Sequence, residues 1–124
     1  MMDKGKLLGE NTSYEADGAV TQFRGGQITA TGVKQCDASG QRCDGVIAWD
    51  AADGEQVTLM TGGVQTAISG AAVAAAAEVM VDDDGKFITH VAGAGNEVAG
   101  IAETPTTGAD QTFKLSHFKG NPTR

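Results

Sequence analysis

The chain has few of the residues that usually mark chemistry or a large interior. Aromatic side chains make up 5% of its 124 residues, with one Trp and one Tyr, too few to line a carbohydrate-binding groove well. Cysteines and histidines number two each, and a structural zinc site needs four ligands at short, regular spacings. Cys36 and Cys43 are close in sequence, but His90 and His117 stand at no such spacing from them. No metal and no cofactor are expected. Nothing approaches the roughly 18 consecutive apolar residues of a membrane span. The opening MMDKGKLLGENTS also lacks the apolar run of a secretory signal. The expectation is a protein made in the cytoplasm, with no membrane partner.

Positive charge is scarce over most of the length. Between residues 43 and 110 eleven acidic side chains meet the single base Lys86, whereas residues 111–124 carry Lys114, Lys119 and Arg124 with no acid. An acidic body repels phosphate backbones, so nucleic acid is not expected as a partner. The acids read as a solvated surface; the alternative is that the basic ends are arms for an acidic partner. Large apolar side chains are the third shortage. Alanine alone supplies 19 residues, and Leu, Ile, Val and Phe together only 23. Such a fraction goes with disorder when charge is dense, but a net charge of −7 over this length is modest. One folded domain with a thin core follows, gaining stability from assembly.

The chain is rich instead in glycine, with 18 residues, and in one repeated phrase. Residues 45–60, GVIAWDAADGEQVTLM, return 54 positions later as AGIAETPTTGADQTFK, aligning Ile47 with Ile101, Ala48 with Ala102, Gly54 with Gly108 and Thr58 with Thr112. Each copy is a small-apolar strand, a turn and an alternating strand, which makes a β-hairpin. Further strands are expected at residues 13–16, 19–23, 27–36, 64–68, 79–81 and 87–91. Gly25-Gly26 and Asp82-Asp83-Asp84-Gly85 are expected as turns. The alanine-rich stretch near residues 70–78 favours a short helix or helical turn, at most one in the chain. Short strands punctuated by glycine indicate an all-β fold, a small barrel or sandwich of short strands. Residues 1–12 read as an extended N-terminal arm anchored by Leu7 and Leu8, residues 13–118 as the single β domain, and residues 119–124 as a polar tail.

Several local patterns fall short of chemistry. Counting from Asp82, an EF-hand would need glycine at position six and glutamate at position twelve, where this chain has Phe87 and Gly93. GAGNEVAG has neither the glycine spacing of a phosphate-binding loop nor a helix after it. His90, His117 and Ser116 would have to converge with an acid to catalyse anything. A small hydrolase needs that convergence, and the sequence does not supply it. Cys36 and Cys43 flank DASGQR, so a hairpin there allows a disulfide, while a reducing compartment favours two thiols. Trp49 is either packed at the end of the core or an anchor in a subunit contact, where tryptophan is enriched.

The succession GVIAWDAADGEQVTLMTGG, SGAAVAAAAEVMVDDDGKF and AGIAETPTTGADQTFKL resembles the small capsid cement or decoration proteins of tailed bacteriophages, over roughly residues 18–116. The family usually has a glycine and an acid where this chain has Ala77-Glu78. The resemblance implies a structural virion protein that is not an enzyme. It would bind the outer surface of the expanded capsid and clamp neighbouring major capsid subunits, with a homotrimer favoured. The residues expected to meet a partner are Lys4, Leu7, Leu8, Tyr14 and Trp49. The alternative is a carbohydrate- or receptor-binding module of a phage tail or surface apparatus.

Overall fold

The computed structural model describes residues 11–93 and 95–117, and every element within them is a strand. In chain order these are β1 (Asn11–Glu15), β2 (Gly25–Ile28), β3 (Val33–Gln35), β4 (Gly45–Ile47), β5 (Gln56–Met60), β6 (Val64–Ile68), β7 (Glu78–Val81), β8 (Phe87–Thr89), β9 (Gly100–Ala102) and β10 (Thr112–His117). They form two five-stranded antiparallel sheets, ordered β1-β5-β4-β2-β3 and β6-β10-β9-β7-β8. The fold is all-β and sandwich-like. Of the expected arm, Asn11 and Thr12 belong to β1, while Lys4, Leu7 and Leu8 lie outside the described residues.

The second sheet copies the first strand for strand. Glu15 opposite Gln56 on β1/β5 is matched by Ile68 opposite Thr112 on β6/β10, and Gly26 opposite Gln35 by Val79 opposite Thr89. Even the isolated bridges recur: Ala16–Val33 as Ser69–Phe87, and Val20–Ala51 as Val73–Thr106. The repeated phrase is thus the legible part of a duplication of the whole domain. Its register differs from the sequence alignment, because the loops of the second half are longer. Gly45–Ile47 corresponds to Gly100–Ala102, which pairs Ile47 with Ala102. The hydrogen bond from Ala48 N–H to Thr58 O recurs from Glu103 N–H to Lys114 O. Trp49 therefore corresponds to Thr104, not Glu103.

Four expectations fail. Residues 19–23 make only the single bridge of Val20 to Ala51, and residues 27–36 are not one strand but the paired ends of β2 and β3 on either side of a turn. The other two fail for physical reasons. Gly25 and Gly26 lie inside β2, not in a turn. A Cβ on Gly25 would come 2.6 Å from Val81 Cγ1, and one on Gly26 2.7 Å from Leu59 Cδ1, so these glycines permit close packing. The short helix near residues 70–78 is absent, and the stretch is extended. Val73 and Thr106 exchange backbone hydrogen bonds of 3.2 and 2.9 Å, Ala76 N–H donates to Ala102 O at 2.7 Å, and Ala76 takes a left-handed φ of 68°. The equivalent stretch of the first half does the same, with Phe23 at φ 70° donating to Ile47 O at 2.8 Å. Pairing with distant segments of the same chain overrides alanine's helix propensity.

The core explains why the halves stay together. One buried cluster, Ala16, Val20, Val33, Ile47, Ala51, Val57 and Leu59, belongs wholly to the first half. The larger one joins Cys36, Cys43 and Val46 of the first half to Val79, Val81, Phe87, Phe113 and Leu115 of the second. Phe87 and Phe113 meet edge to face at 6.2 Å, a favourable ring geometry. Backbone hydrogen bonds cross the junction from Gly25 N–H to Gly85 O at 2.8 Å, from Ile68 N–H to Phe23 O at 3.0 Å and from Gly40 N–H to Val81 O at 2.9 Å. The halves share the larger of the two clusters.

Candidate functional site

One concavity is an open cleft of about 330 Å³, lined by Asp17, Lys34, Gln35, Asp37, Asp83 and Asp84 among others. Its polar groups are engaged in holding loops. Asp17 Oδ2 accepts the hydroxyls of Thr29 and Thr31, each at 2.9 Å. Lys34 Nζ lies 3.5 Å from Asp37 Oδ2. Arg24 Nη1 and Gln35 Nε2 both donate to Asp84 O, at 3.1 and 3.0 Å. Asp82, Asp83 and Asp84 bring carboxylates together, but Asp82 Oδ1 accepts the N–H groups of Asp84 and Lys86 at 2.9 and 3.0 Å. That is the capping of a hairpin turn by an aspartate, the turn expected there. Thr29 caps the equivalent turn of the first half through the N–H groups of Thr31 and Gly32.

Of the groups weighed for catalysis, the His117 side chain lies outside the described residues, and His90 follows β8 while Ser116 stands on β10. The His90 ring contacts Asn96 O at 3.0 Å through Nε2, and Ser116 stands opposite Ile101 on β10. Cys36 and Cys43 are buried and reduced. A hydrogen bond with Cys43 and burial raise the Cys36 thiol's pKa well above its ordinary value, so it is a poor nucleophile.

The exposed surface offers apolar contacts instead. Trp49 is 47% exposed, and its indole N–H donates to Gln56 O at 3.2 Å. That bond fixes the ring at the start of β5 and leaves part of it outward, so Trp49 is not a core residue. Tyr14 on β1 is opposite Val57, half-buried, and packs against the first half's own cluster. The two expected aromatic contacts thus sit near one end of the β1/β5 pair. Neither has an aromatic counterpart in the second half, where Ala67 and Thr104 take their places. Ile28, Val64 and Val91 are also exposed, and sequence reasoning did not single them out. For Val64 the structure supplies the reason: Ala67, three positions on, is buried, which turns Val64 to the opposite face of the strand.

No curated protein matches the chain. Among solved structures, the N base of the head fiber gp8.5 of bacteriophage phi29 is similar, with a TM-score of 0.68 at 16% identity over 92% of this chain and 98% of that one. At that identity the likeness is one of fold. The family model for phage cement proteins matches residues 9–117, a span that takes in both five-stranded halves. The chain belongs to the phage cement protein family, and is a structural protein of the phage head.

Proposed function

We propose that the protein binds the outer surface of the expanded phage capsid and clamps neighbouring major capsid subunits, acting as a homotrimer and without catalysis. The match to the cement-protein family over residues 9–117 carries this reading. Its physical basis is a rigid scaffold with little core of its own and apolar groups left at the surface. Trp49 is the anchor, held at the start of β5 with part of its ring free to enter a partner's pocket. β1 and β6 are edge strands of their sheets, and an edge offers backbone groups to a further strand. The arm, with Lys4, Leu7 and Leu8, reaches across the lattice ahead of β1. Symmetry repeats each modest contact, so occupancy rises by avidity.

Sedimentation with expanded capsids tests this directly. The full chain co-sediments and raises the temperature at which the shells open. A chain lacking residues 1–10 keeps β1 whole and its fold intact, yet binds roughly tenfold or more weakly. Trp49→Ala leaves the monomer's stability nearly unchanged and costs about 2 kcal/mol of capsid binding. Full-length protein that stays in the supernatant overturns the clamp. Undiminished binding by the shortened chain overturns the arm alone.

A further inference from the structure

Cys36 and Cys43 bracket a loop that is part of the first half by sequence and of the junction by contact. Cys36 follows β3, Cys43 precedes β4, and both side chains lie in the core cluster shared by the halves. Between them, Gly40 donates its N–H to Val81 O at 2.9 Å and accepts from Glu97 N–H at 3.0 Å, so the loop is stitched to the second half on both sides. The sulfurs converge. A methyl group on Gly25 would lie 3.0 Å from Cys43 Sγ and 3.4 Å from Cys36 Sγ, so both sulfurs border one point of the core, while their S–H groups donate to Gly45 O at 3.2 Å and to Arg42 O at 3.5 Å respectively. The duplication supplies a comparison within the molecule. Cys36 N–H donates to Gly25 O as His90 N–H does to Glu78 O, and Asp44 N–H to Gly26 O as Ala99 N–H does to Val79 O. The positions equivalent to the cysteines therefore hold His90 and Val98, so the fold itself does not require a thiol at either place.

We propose that Cys36 and Cys43 are an oxidisable pair that closes into an intramolecular disulfide and so locks the loop joining the two halves. The oxidant class is a small disulfide such as oxidised glutathione. When the loop opens and a thiol of the pair meets solvent, its burial is relieved, and as thiolate it attacks a glutathione sulfur and releases the first glutathione thiolate, leaving a mixed disulfide. The second cysteine attacks the protein sulfur of that bond and expels the second glutathione. Two thiols become one disulfide, and their protons and electrons leave on two molecules of reduced glutathione. Burial protects both sulfurs, so exchange passes through opening of the exposed residues 37–39. Closing this short loop restricts the unfolded chain, and the thermal midpoint rises by roughly 5–15 °C.

The full chain is equilibrated in glutathione buffers from reducing to oxidising, trapped with an alkylating reagent and weighed intact. The expected result is a passage from two alkylated thiols to none, in a monomer without a glutathione adduct. The oxidised form melts higher, and dithiothreitol reverses the gain. Thiols that stay alkylatable in the most oxidising buffer overturn the proposal, as do glutathione adducts or linked dimers in place of the internal bond. An oxidised form that melts no higher overturns the lock. Cys43→Val, which copies Val98, shows no oxidation-dependent rise; a rise equal to that of the natural chain assigns the effect elsewhere and overturns the pair.

Discussion

Asp110 holds a backbone shape that its counterpart in the first half leaves to glycine. Gly54 N–H donates to Ala16 O, and Asp110 N–H makes the equivalent bond to Ser69 O, with φ at 87° and 64° respectively. An aspartate tolerates this region better than most side chains, and here it has a second role. Lys86 Nζ lies 2.6 Å from Asp110 Oδ1, and the hydrogen bond from Lys86, followed by its charge, holds the Asp110 carboxyl below its ordinary pKa. A group depressed in the folded state contributes stability above its unfolded pKa, near 3.9, and loses it as pH falls through the folded value. The carboxylate is exposed, so the contribution is small and screened by salt. Asp110→Asn keeps a residue that accepts the left-handed backbone and removes the charge. Urea titrations of the two proteins should differ at neutral pH and converge as pH falls below about 4. A difference that does not change with pH would mean that the ion pair is not its source.

Among the elements, the hairpins were legible in sequence and the alanine-rich stretch was not. Gln56–Met60 and Val64–Ile68 alternate and are closed by turn residues, so the expected and observed bounds coincide. Val79, Met80 and Val81 are all buried, and Asp82 caps the turn after them. Gly25-Gly26 misled because glycine marks close approach as readily as it marks a turn. The stretch around Val73 misled because alanine carries little information about its partners. Val73 is buried at the centre of that stretch, and the buried Thr106 hydroxyl accepts its N–H while donating to Ala71 O, each at 3.1 Å. Those partners are 33 and 35 residues apart in sequence, beyond any local pattern. The contrast between helix and extended strap has a measurable sign. In a helix, Ala76→Gly would cost about 1 kcal/mol. At φ 68° it relieves a left-handed strain of about 1–2 kcal/mol against an unfolded-state cost of about 0.4–1 kcal/mol. The urea midpoint should hold or rise; a fall matching the helical cost would refute the extended assignment.

At the scale of the whole molecule, the duplication makes two similar sheets, yet their cores are unequal. The first half owns a separate cluster beneath Tyr14, while the second fills its interior partly with Cys36, Cys43 and Val46 of the first. Sequence comparison at one fixed offset could catch only one phrase of this, since the spacing grows from 53 positions between Glu15 and Ile68 to 56 between Gln56 and Thr112. The candidate surface was legible in Trp49, whose type and isolation marked it, but not in Val64 or Val91, which resemble core valines until their neighbours are known. The shared cluster predicts one unfolding event. Phe87 is fully buried in the second half, and Phe87→Ala should cost about 3–5 kcal/mol, a large part of a domain stability of about 5–15 kcal/mol. Trp49, the only tryptophan, reports on the first half. Its fluorescence and the far-ultraviolet circular dichroism of the whole chain should move to a lower urea midpoint together, with unchanged slope. Independent halves would behave otherwise: the Trp49 transition would stay in place while the circular dichroism split in two. The coincident shift is what the proposed clamp requires, because a load applied to one sheet is then resisted by the packing of both.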